Sequence, residues 1–453
     1  MSLITPESVW NLQQSLQAKA KANPTFRFYS LYDKIYRRDV LAFAYQRCRA
    51  NGGSAGVDGQ TFEQIESAGL GAWLDGLTEE LKSKTYKPQA VRRVYIPKPD
   101  GKQRPLGISN IKDRVVMMAS VIVLGPIFET DLLDEQYAYR AKRGAHDAIR
   151  AVHGLVNRGH CSVVEGDLSG YYDTIPHHEL MKSVARRVCD GAMLKLIQQW
   201  LEMAVEEPDE RGGKRRTTVN KDSGRGTPQG APISPLLANI YMRRFILGWK
   251  QQGWEKRLRA HIVNYADDFV ILCRGSAQEA RERMQKIMNV LKLTVNEKKT
   301  KTCRVPEESF DFLGYTIGRC YSKQTGRAYI GTRPAQKRVK RICEEVSEAT
   351  SRSTLWGKTE ELVAGLNRKL RGWANYFSLG PVSPAYRAVD SHTRWRLRQW
   401  LCKKHKKVEV YTDQYLYEKL GLLRLEKLTA NLPWAKARAT CPKAGCGKTA
   451  RPV

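Results

Sequence analysis

Apolar positions recur at helical spacing through the first fifty residues, as Val9, Leu12 and Leu16 and then as Leu31, Ile35, Val40 and Phe43. The glycine-rich run 52–59 then breaks the pattern into a loop. Helical spacing resumes to about Lys84, after which the period shortens. Val91-Arg-Arg-Val-Tyr-Ile96 predicts a strand, 97–102 a turn and 104–108 its return strand. Residues 111–129 are apolar nearly all round, which predicts a buried helix. Val163-Val-Glu-Gly-Asp-Leu168 predicts another strand, and Pro176 opens a helix. The polar, glycine-rich stretch 207–227 predicts a loop or small hairpin ahead of an apolar helix from Ser234 to about Phe245. From His261 to Cys273 strand formers dominate, interrupted by Asp267-Asp268, so a hairpin with Asp267 and Asp268 at its tip is expected. Residues 277–293 are helical in pattern, 310–317 form a short strand or hairpin, and from about Pro334 onward the chain is helical and basic. This order predicts an α+β body followed by a helical C-terminal module.

Composition narrows the partners. Of 453 residues, 77 are Lys or Arg and 46 Asp or Glu, a net charge of +31 spread over the whole length, with a sequence pI of about 9.8. A polyanion is the expected partner, nucleic acid foremost. A ribosome-associated structural protein would usually be shorter and poorer in core residues, and a membrane-surface protein would concentrate its charge in one amphipathic helix. The longest charge-free apolar run, Val115 to Phe128 between Arg114 and Glu129, is too short to span a bilayer. The N-terminus lacks a basic-then-apolar signal pattern, so a cytoplasmic protein is expected. Ten cysteines occur without a Cys-x-x-Cys pair. Cys441 and Cys446, with His405 upstream, make at most half a zinc site, so free thiols in a reducing compartment are expected. His177 and His178 follow Pro176 and are expected to be solvated at a helix start.

The acidic hairpin carries the chemistry. Two adjacent carboxylates repel, and a site that keeps both ionised does so most readily around a divalent cation. Asp167 closes a strand about a hundred residues upstream, with Asp173 six residues on, and a strand-end carboxylate can meet a hairpin tip across a sheet. Three such groups can hold two magnesium ions roughly 3.5–4 Å apart for phosphoryl transfer. Taken singly, each aspartate is an ordinary turn residue.

Together with its neighbours this pattern resembles a known family. Tyr265-Ala-Asp-Asp268 with Asp167-Leu-Ser-Gly-Tyr-Tyr172 resembles the palm site of reverse transcriptases. Arg225-Gly-Thr-Pro-Gln-Gly-Ala-Pro-Ile-Ser-Pro235 resembles that family's template and nucleotide segment, and Tyr86 to Gly107 resembles its fingers. Gly56-Val-Asp-Gly59, Tyr139-Arg-Ala-Lys-Arg-Gly-Ala-His-Asp147, Asn296-Glu-Lys-Lys-Thr300, Phe312-Leu-Gly-Tyr315 and Gly372-Trp-Ala-Asn-Tyr-Phe377 are similar to bacterial group II intron reverse transcriptase/maturases. The likeness runs colinearly through most of the chain. Related proteins often carry Phe-Arg-Pro-Gly-Arg where this chain has Tyr139-Arg-Ala-Lys-Arg143, which alters a turn but keeps its basic character.

The resemblance implies a right-hand polymerase. Its N-terminal extension and fingers would occupy 1–115, palm with further fingers elements 116–320, a helical thumb or maturase domain 321–410 and a short DNA-binding tail 411–453. It implies Asp167 and Asp267 as principal metal ligands, Asp268 as accessory and the Leu168 carbonyl as a backbone ligand, for two Mg²⁺ ions with Mn²⁺ as a substitute. Lys98 and Arg104 would clamp the incoming triphosphate. Tyr172 would stack under the sugar and reject a ribose 2′-hydroxyl, while Gln229 and Gly230 line the pocket. Lys299 would assist pyrophosphate departure, with Lys298 beside it leaving the register open. Phe312, Leu313, Gly314 and Tyr315 would grip the primer terminus. Arg140 and Arg143 would contact template, and Arg394, Arg396, Arg398, Lys403 and Lys404 would contact RNA or DNA. The aromatics interleaved with the latter group are as readily helical core as base-stacking surface. The partners implied are template and intron RNA, a DNA primer or target and deoxynucleoside triphosphates, with no membrane and with a homodimer left open. RNA-directed DNA synthesis in support of intron splicing and mobility is the leading reading. The alternatives are a domesticated polymerase in DNA repair or phage defence and an RNA-binding splicing factor without polymerase activity.

Overall fold

The computed structural model describes residues 3–97, 103–208, 213–228, 230–322, 325–406 and 411–429. Lys98, Gln229, Cys441 and Cys446 lie outside them, as does the side chain of Arg104. The chain forms two compact units, one of residues 1–148 and 164–302, the other of 149–163 and 303–453. The described strands are β1 (Val91–Pro97), β2 (Gln103–Ile108), β3 (Ser162–Gly166), β4 (Val205–Pro208), β5 (Lys214–Thr217) and β6 (Ala260–Tyr265). They continue with β7 (Asp268–Cys273), β8 (Lys301–Arg304), β9 (Phe310–Phe312), β10 (Tyr315–Tyr321) and β11 (Ala328–Pro334).

The first unit is built around the helix Ile111–Glu129. Its Ile111, Val115, Val116, Met117, Ile122, Val123 and Ile127 are at most 1% exposed, which is why its sequence shows no polar face. The helices Glu7–Ala22 and Arg38–Asn51 pack against it. The helix Phe62–Lys82 starts at Thr61 with a capping box, in which Thr61 accepts from the Gln64 amide and Gln64 returns the bond to Thr61 N–H. Asp113, on the buried helix, accepts from Tyr86 Oη at 2.5 Å and from Gln89 N–H at 3.2 Å. Burial pushes its carboxyl up to about 6. Gly56 lies flush on Asn110: an added Cβ would stand 2.0 Å from Asn110 Oδ1, the atom that accepts from Val57 N–H. Arg92 Nη2 donates to Ala55 O at 2.7 Å, so the 52–59 loop is pinned to the base of β1.

One charged residue ties the N-terminal segment down. Arg187 is 0% exposed and donates from Nη1 to Asn23 O, Pro24 O and Phe26 O, and from Nη2 to Ala20 O, while its Nε faces Asp131 at 3.4 Å. Five guanidinium donors suit such a cluster of carbonyls better than any other side chain.

Two sheets complete this unit. One runs β2-β1-β4-β5, with β1 parallel to β4 and antiparallel to β2. The other runs β6-β7-β3-β8, which sets β3 beside β7.

In the second unit β11-β10-β9 form a small antiparallel sheet. A two-residue turn joins β9 to β10, with Phe312 paired to Tyr315 and with Leu313 and Gly314 at φ of +49° and +82°. Positive φ at both central residues is what a two-residue hairpin of matching twist requires. The helices Gln336–Ala349, Thr359–Tyr376 and Ser383–His405 pack around Val339, Ile342, Val346, Leu366, Leu370 and Trp400. The two aromatic motifs of this region interlock. Tyr376 Oη donates to Leu313 O at 2.7 Å, Tyr315 Oη donates to Tyr376 O, and the Tyr315 and Phe377 rings lie 5.2 Å apart.

Candidate active site

Asp167 leaves β3 and is held from behind by its downstream neighbours. Asn296 N–H donates to Asp167 O at 2.8 Å, and Asp167 N–H donates to Thr300 Oγ1 at 3.3 Å. The Asn296–Thr300 motif therefore fixes the backbone of the carboxylate, and Lys299 from the same turn sets its Nζ 3.7 Å from Asp167 Oδ2. That geometry picks Lys299, not Lys298, as the lysine facing the site. Leu168 bridges Val295, and the bonds flanking this bridge use the Asp167 carbonyl and the Ser169 amide, so the Leu168 carbonyl takes no part in it.

The hairpin of β6 and β7 forms as expected, with one shift of register. Tyr265 pairs with Asp268, so the turn residues are Ala266 and Asp267, and Asp268 already begins β7. Asp267 lies in the turn and Asp268 in the strand ladder, so the two aspartates are not equivalent. Ala266 sits at φ +59°, a conformation costing an L-residue roughly 1–2 kcal/mol. Asn264 holds it there: 0% exposed, it donates from Nδ2 to Ala266 O at 2.8 Å and to Asp268 O at 3.3 Å. Asn264 was not among the expected site residues; a buried amide just before an acidic turn was its only signal.

Gly166 explains how β3 and β7 come close enough. A Cβ on it would lie 2.1 Å from Phe269 Cζ, the ring immediately after Asp268. The strand interior accepts glycine here because another side chain fills its place. After Asp167 the chain turns into the short helix Tyr171–Thr174. Burial, joined by neighbouring charges that include Asp267, pushes the Tyr171 hydroxyl well above its ordinary value. Asp267 thus lies within electrostatic reach of the segment that follows Asp167.

Tyr172 is half-buried, and its Oη donates to Tyr139 Oη at 3.3 Å. Its carbonyl accepts from Thr227 N–H at 2.6 Å, which docks residues 225–228 beside it. His177 staples the same segment: it is 8% exposed and its Nε2 donates to Gly226 O at 2.7 Å. The expectation of a solvated imidazole is therefore wrong for His177, because the loop it binds arrives from fifty residues downstream; His178 is exposed as expected. Burial lowers the His177 pKa. Gly230, at φ +93°, approaches the first sheet so closely that a Cβ would stand 2.6 Å from Gly107 O.

Several expected contact residues have internal partners. Arg140 has a side chain only 5% exposed, engaged by Glu129 at 2.7 Å and by the carbonyls of Leu133 and Gln136, so it supports the turn from inside. Arg143 pairs with Asp134 at 2.6 Å. In the second unit Arg394 and Arg398 both pair with Asp413, Arg396 donates to the Ser347 and Thr350 carbonyls, and Lys404 donates to Leu355 O and Gly357 O. Lys403 is exposed. Phe312 and Tyr315 are buried and Leu313 is half-buried, so this hairpin offers backbone more than side chain. Of the aromatics, Trp400 is core at 1% exposure and Trp395 is exposed at 55%.

Among the described residues, no three His, Cys, Asp or Glu side chains stand close enough to hold a metal ion. The eight described cysteines form no disulfide, and no described helix is long and apolar enough to cross a membrane. What the fold brings together is a strand-end carboxylate, a second on an adjacent hairpin turn, a lysine beside the first and a loop stapled alongside.

Comparison with known proteins makes this specific. The profile described as reverse transcriptase (RNA-dependent DNA polymerase) matches residues 96–317, and that described as group II intron, maturase-specific domain matches 339–416. Protein YkfC of Escherichia coli (strain K12) is 32% identical over 363 residues, covering 72% of this chain and 92% of that protein. The group II intron-encoded protein LtrA of Lactococcus lactis subsp. cremoris is 28% identical over 443 residues, covering 78% and 71%. The chain belongs to the group II intron reverse transcriptase/maturase family and is an RNA-directed DNA polymerase.

Proposed function

We propose that this chain copies RNA into DNA by a two-magnesium mechanism and binds a group II intron RNA in support of its splicing and mobility. The observation that carries the catalytic half is Asp167 at the end of β3 beside the hairpin whose turn bears Asp267. The donors there are all oxygen, the chemistry of a hard divalent cation. The ammonium of Lys299 already faces Asp167, so this carboxylate attracts positive charge. Asp167, Asp267 and the Leu168 carbonyl would hold the ions, with Asp268 accessory. When bound, such ions acidify a primer 3′-hydroxyl and neutralise charge on the triphosphate.

The chain's own groups do the rest. Lys98 and Arg104 grip the triphosphate, and Gln229 and Gly230 line the base and sugar pocket. Tyr172 stands under the sugar, where its ring excludes a 2′-hydroxyl. As the primer oxygen bonds to the α-phosphorus and the bond to the β-phosphate breaks, Lys299 gives a proton to the departing pyrophosphate. Phe312 to Tyr315 grip the primer through backbone groups. In right-hand terms residues 1–115 act as extension and fingers, 116–320 as palm, 321–410 as thumb and 411–453 as tail. Intron RNA, DNA primer and deoxynucleotides are the partners, in a cytoplasmic setting.

Primer extension on poly(rA)/oligo(dT) with Mg²⁺ tests the catalytic reading. Wild type should extend, and Asp267→Asn should lose activity by ~1000-fold or more through lost charge stabilisation. Near-normal extension by Asp267→Asn would refute the assignment. Tyr172→Ala should admit ribonucleotides; unchanged exclusion would remove Tyr172 from that role.

A further inference from the structure

Trp356 is 88% exposed, more than any other described aromatic side chain, yet it does not sit on a loose loop. It lies at 351–358, between the helices Gln336–Ala349 and Thr359–Tyr376, and this loop is gripped by a row of side chains from the helix Ser383–His405. Arg396, Trp400 and Lys404 fall four residues apart and so share one face of that helix. Arg396 donates to Ser347 O at 2.8 Å and Thr350 O at 3.0 Å, and Trp400 Nε1 donates to Thr354 Oγ1 at 3.0 Å. Lys404 Nζ donates to Leu355 O at 2.8 Å and Gly357 O at 2.7 Å, the two carbonyls on either side of Trp356. The same ammonium lies 5.1 Å from the centre of the Trp400 ring. The backbone is thereby fixed on both flanks while the largest apolar side chain in the loop stands in water. Arg352 and Lys358 are exposed in the same loop, Lys358 in a loose, exposed ion pair with Glu361 at 4.0 Å that a phosphate can displace, and Lys403 and Lys406 are exposed beside Lys404 in the chain.

An exposed indole with a basic residue before it and another after it in the same loop suits a base flanked by two phosphates. Paired bases keep their faces inside the stack, so the occupant that fits is an unpaired one. We propose that Trp356 is a preset stacking platform for a single unpaired nucleobase of a structured RNA, with Arg352 and Lys358 on the adjoining phosphates. Because the loop is ordered before binding, little freedom is lost on contact. The inference rests on the reading of the second unit as RNA-binding and adds the place and the kind of nucleotide.

The test uses the full chain, saturated with a fully paired, blunt RNA–DNA hybrid to occupy the polymerase cleft without offering unpaired bases. The probes are an RNA hairpin with 2-aminopurine in its loop and a blunt RNA duplex of the same stem. Wild type should prefer the hairpin and quench the 2-aminopurine. Trp356→Ala should weaken hairpin binding by ~10-fold or more, abolish the quenching and leave duplex affinity and Tm unchanged, while Trp356→Tyr retains most of the preference. Wild-type hairpin affinity and quenching in Trp356→Ala would overturn the platform but leave RNA binding by this unit standing. Failure of wild type to bind the hairpin over the competitor would overturn both. If Trp356→Ala converts a dimer to a monomer by light scattering with hairpin affinity intact, the indole is a protein contact and the proposal fails.

Discussion

Gly166 and Phe269 show how much of the proposed catalytic site depends on a missing side chain. The phenyl ring occupies the space that any Cβ on Gly166 would need, so Gly166→Ala must push β7 from β3 or rotate the ring. Either movement shifts Asp167 relative to Asp267. A displacement near 1 Å is worth ~100-fold in rate, so Gly166→Ala should lose about that in kcat, together with a fall in stability of about 1–3 kcal/mol from overpacking. Phe269→Leu in the same chain should restore part of it; a Gly166→Ala protein with wild-type kcat would refute this account. The carboxylates themselves were legible because charge is anomalous in a strand-forming run. The glycine was not, because the reason for it lies a hundred residues away. His177 was misread for the same cause: it looks like a surface residue until its carbonyl partner arrives from about fifty residues downstream.

Asp113 makes a prediction at the same scale. Its folded pKa of about 6 exceeds the ordinary 3.8, so the native state holds more protons than the unfolded state between those values. Stability should therefore fall as pH rises from about 4 to 6 and level off above, by up to ~3 kcal/mol. The wild-type minus Asp113→Asn difference in unfolding free energy isolates this term. A difference that is flat across the window would show that Asp113 ionises freely.

At the scale of elements, the N-terminal helices and the buried helix were predictable from spacing, and the β6–β7 hairpin from its composition. What pattern could not supply was the attachment of one element to another. Arg187 is one charged side chain on which the 20–26 segment closes, through at least four carbonyl contacts. Arg187→Leu keeps the bulk but strands those carbonyls and Asp131, and should destabilise the fold by about 3–5 kcal/mol. Chemical denaturation measures it, and a loss below ~1 kcal/mol would mean the segment is held by packing alone. The row Arg396, Trp400 and Lys404 teaches the same lesson. Read linearly it is part of a basic patch; folded, it is the frame of a loop.

For the whole molecule, the net charge of +31 was the most secure inference from composition and pointed to a polyanion before any motif did. Many internal pairs, such as Arg140 with Glu129 and Arg394 with Asp413, reduce the number of cations available to phosphates but not the overall field. Primer–template affinity should fall by ~100-fold or more between roughly 50 and 200 mM monovalent salt, with a linear log–log slope. A salt-insensitive affinity would mean that base and aromatic contacts dominate.

The two units do not follow one another along the chain: the second borrows residues 149–163 from the midst of the first. No single cut can separate them with both intact. A polypeptide beginning at 303 lacks a piece of its own unit, and one ending at 302 carries a segment whose companions are gone. During synthesis, residues 149–163 leave the ribosome long before the rest of their unit exists. For anyone dissecting polymerase from maturase, the practical unit of expression is the undivided protein, and loss of function on truncation would report broken architecture before it reported a missing activity.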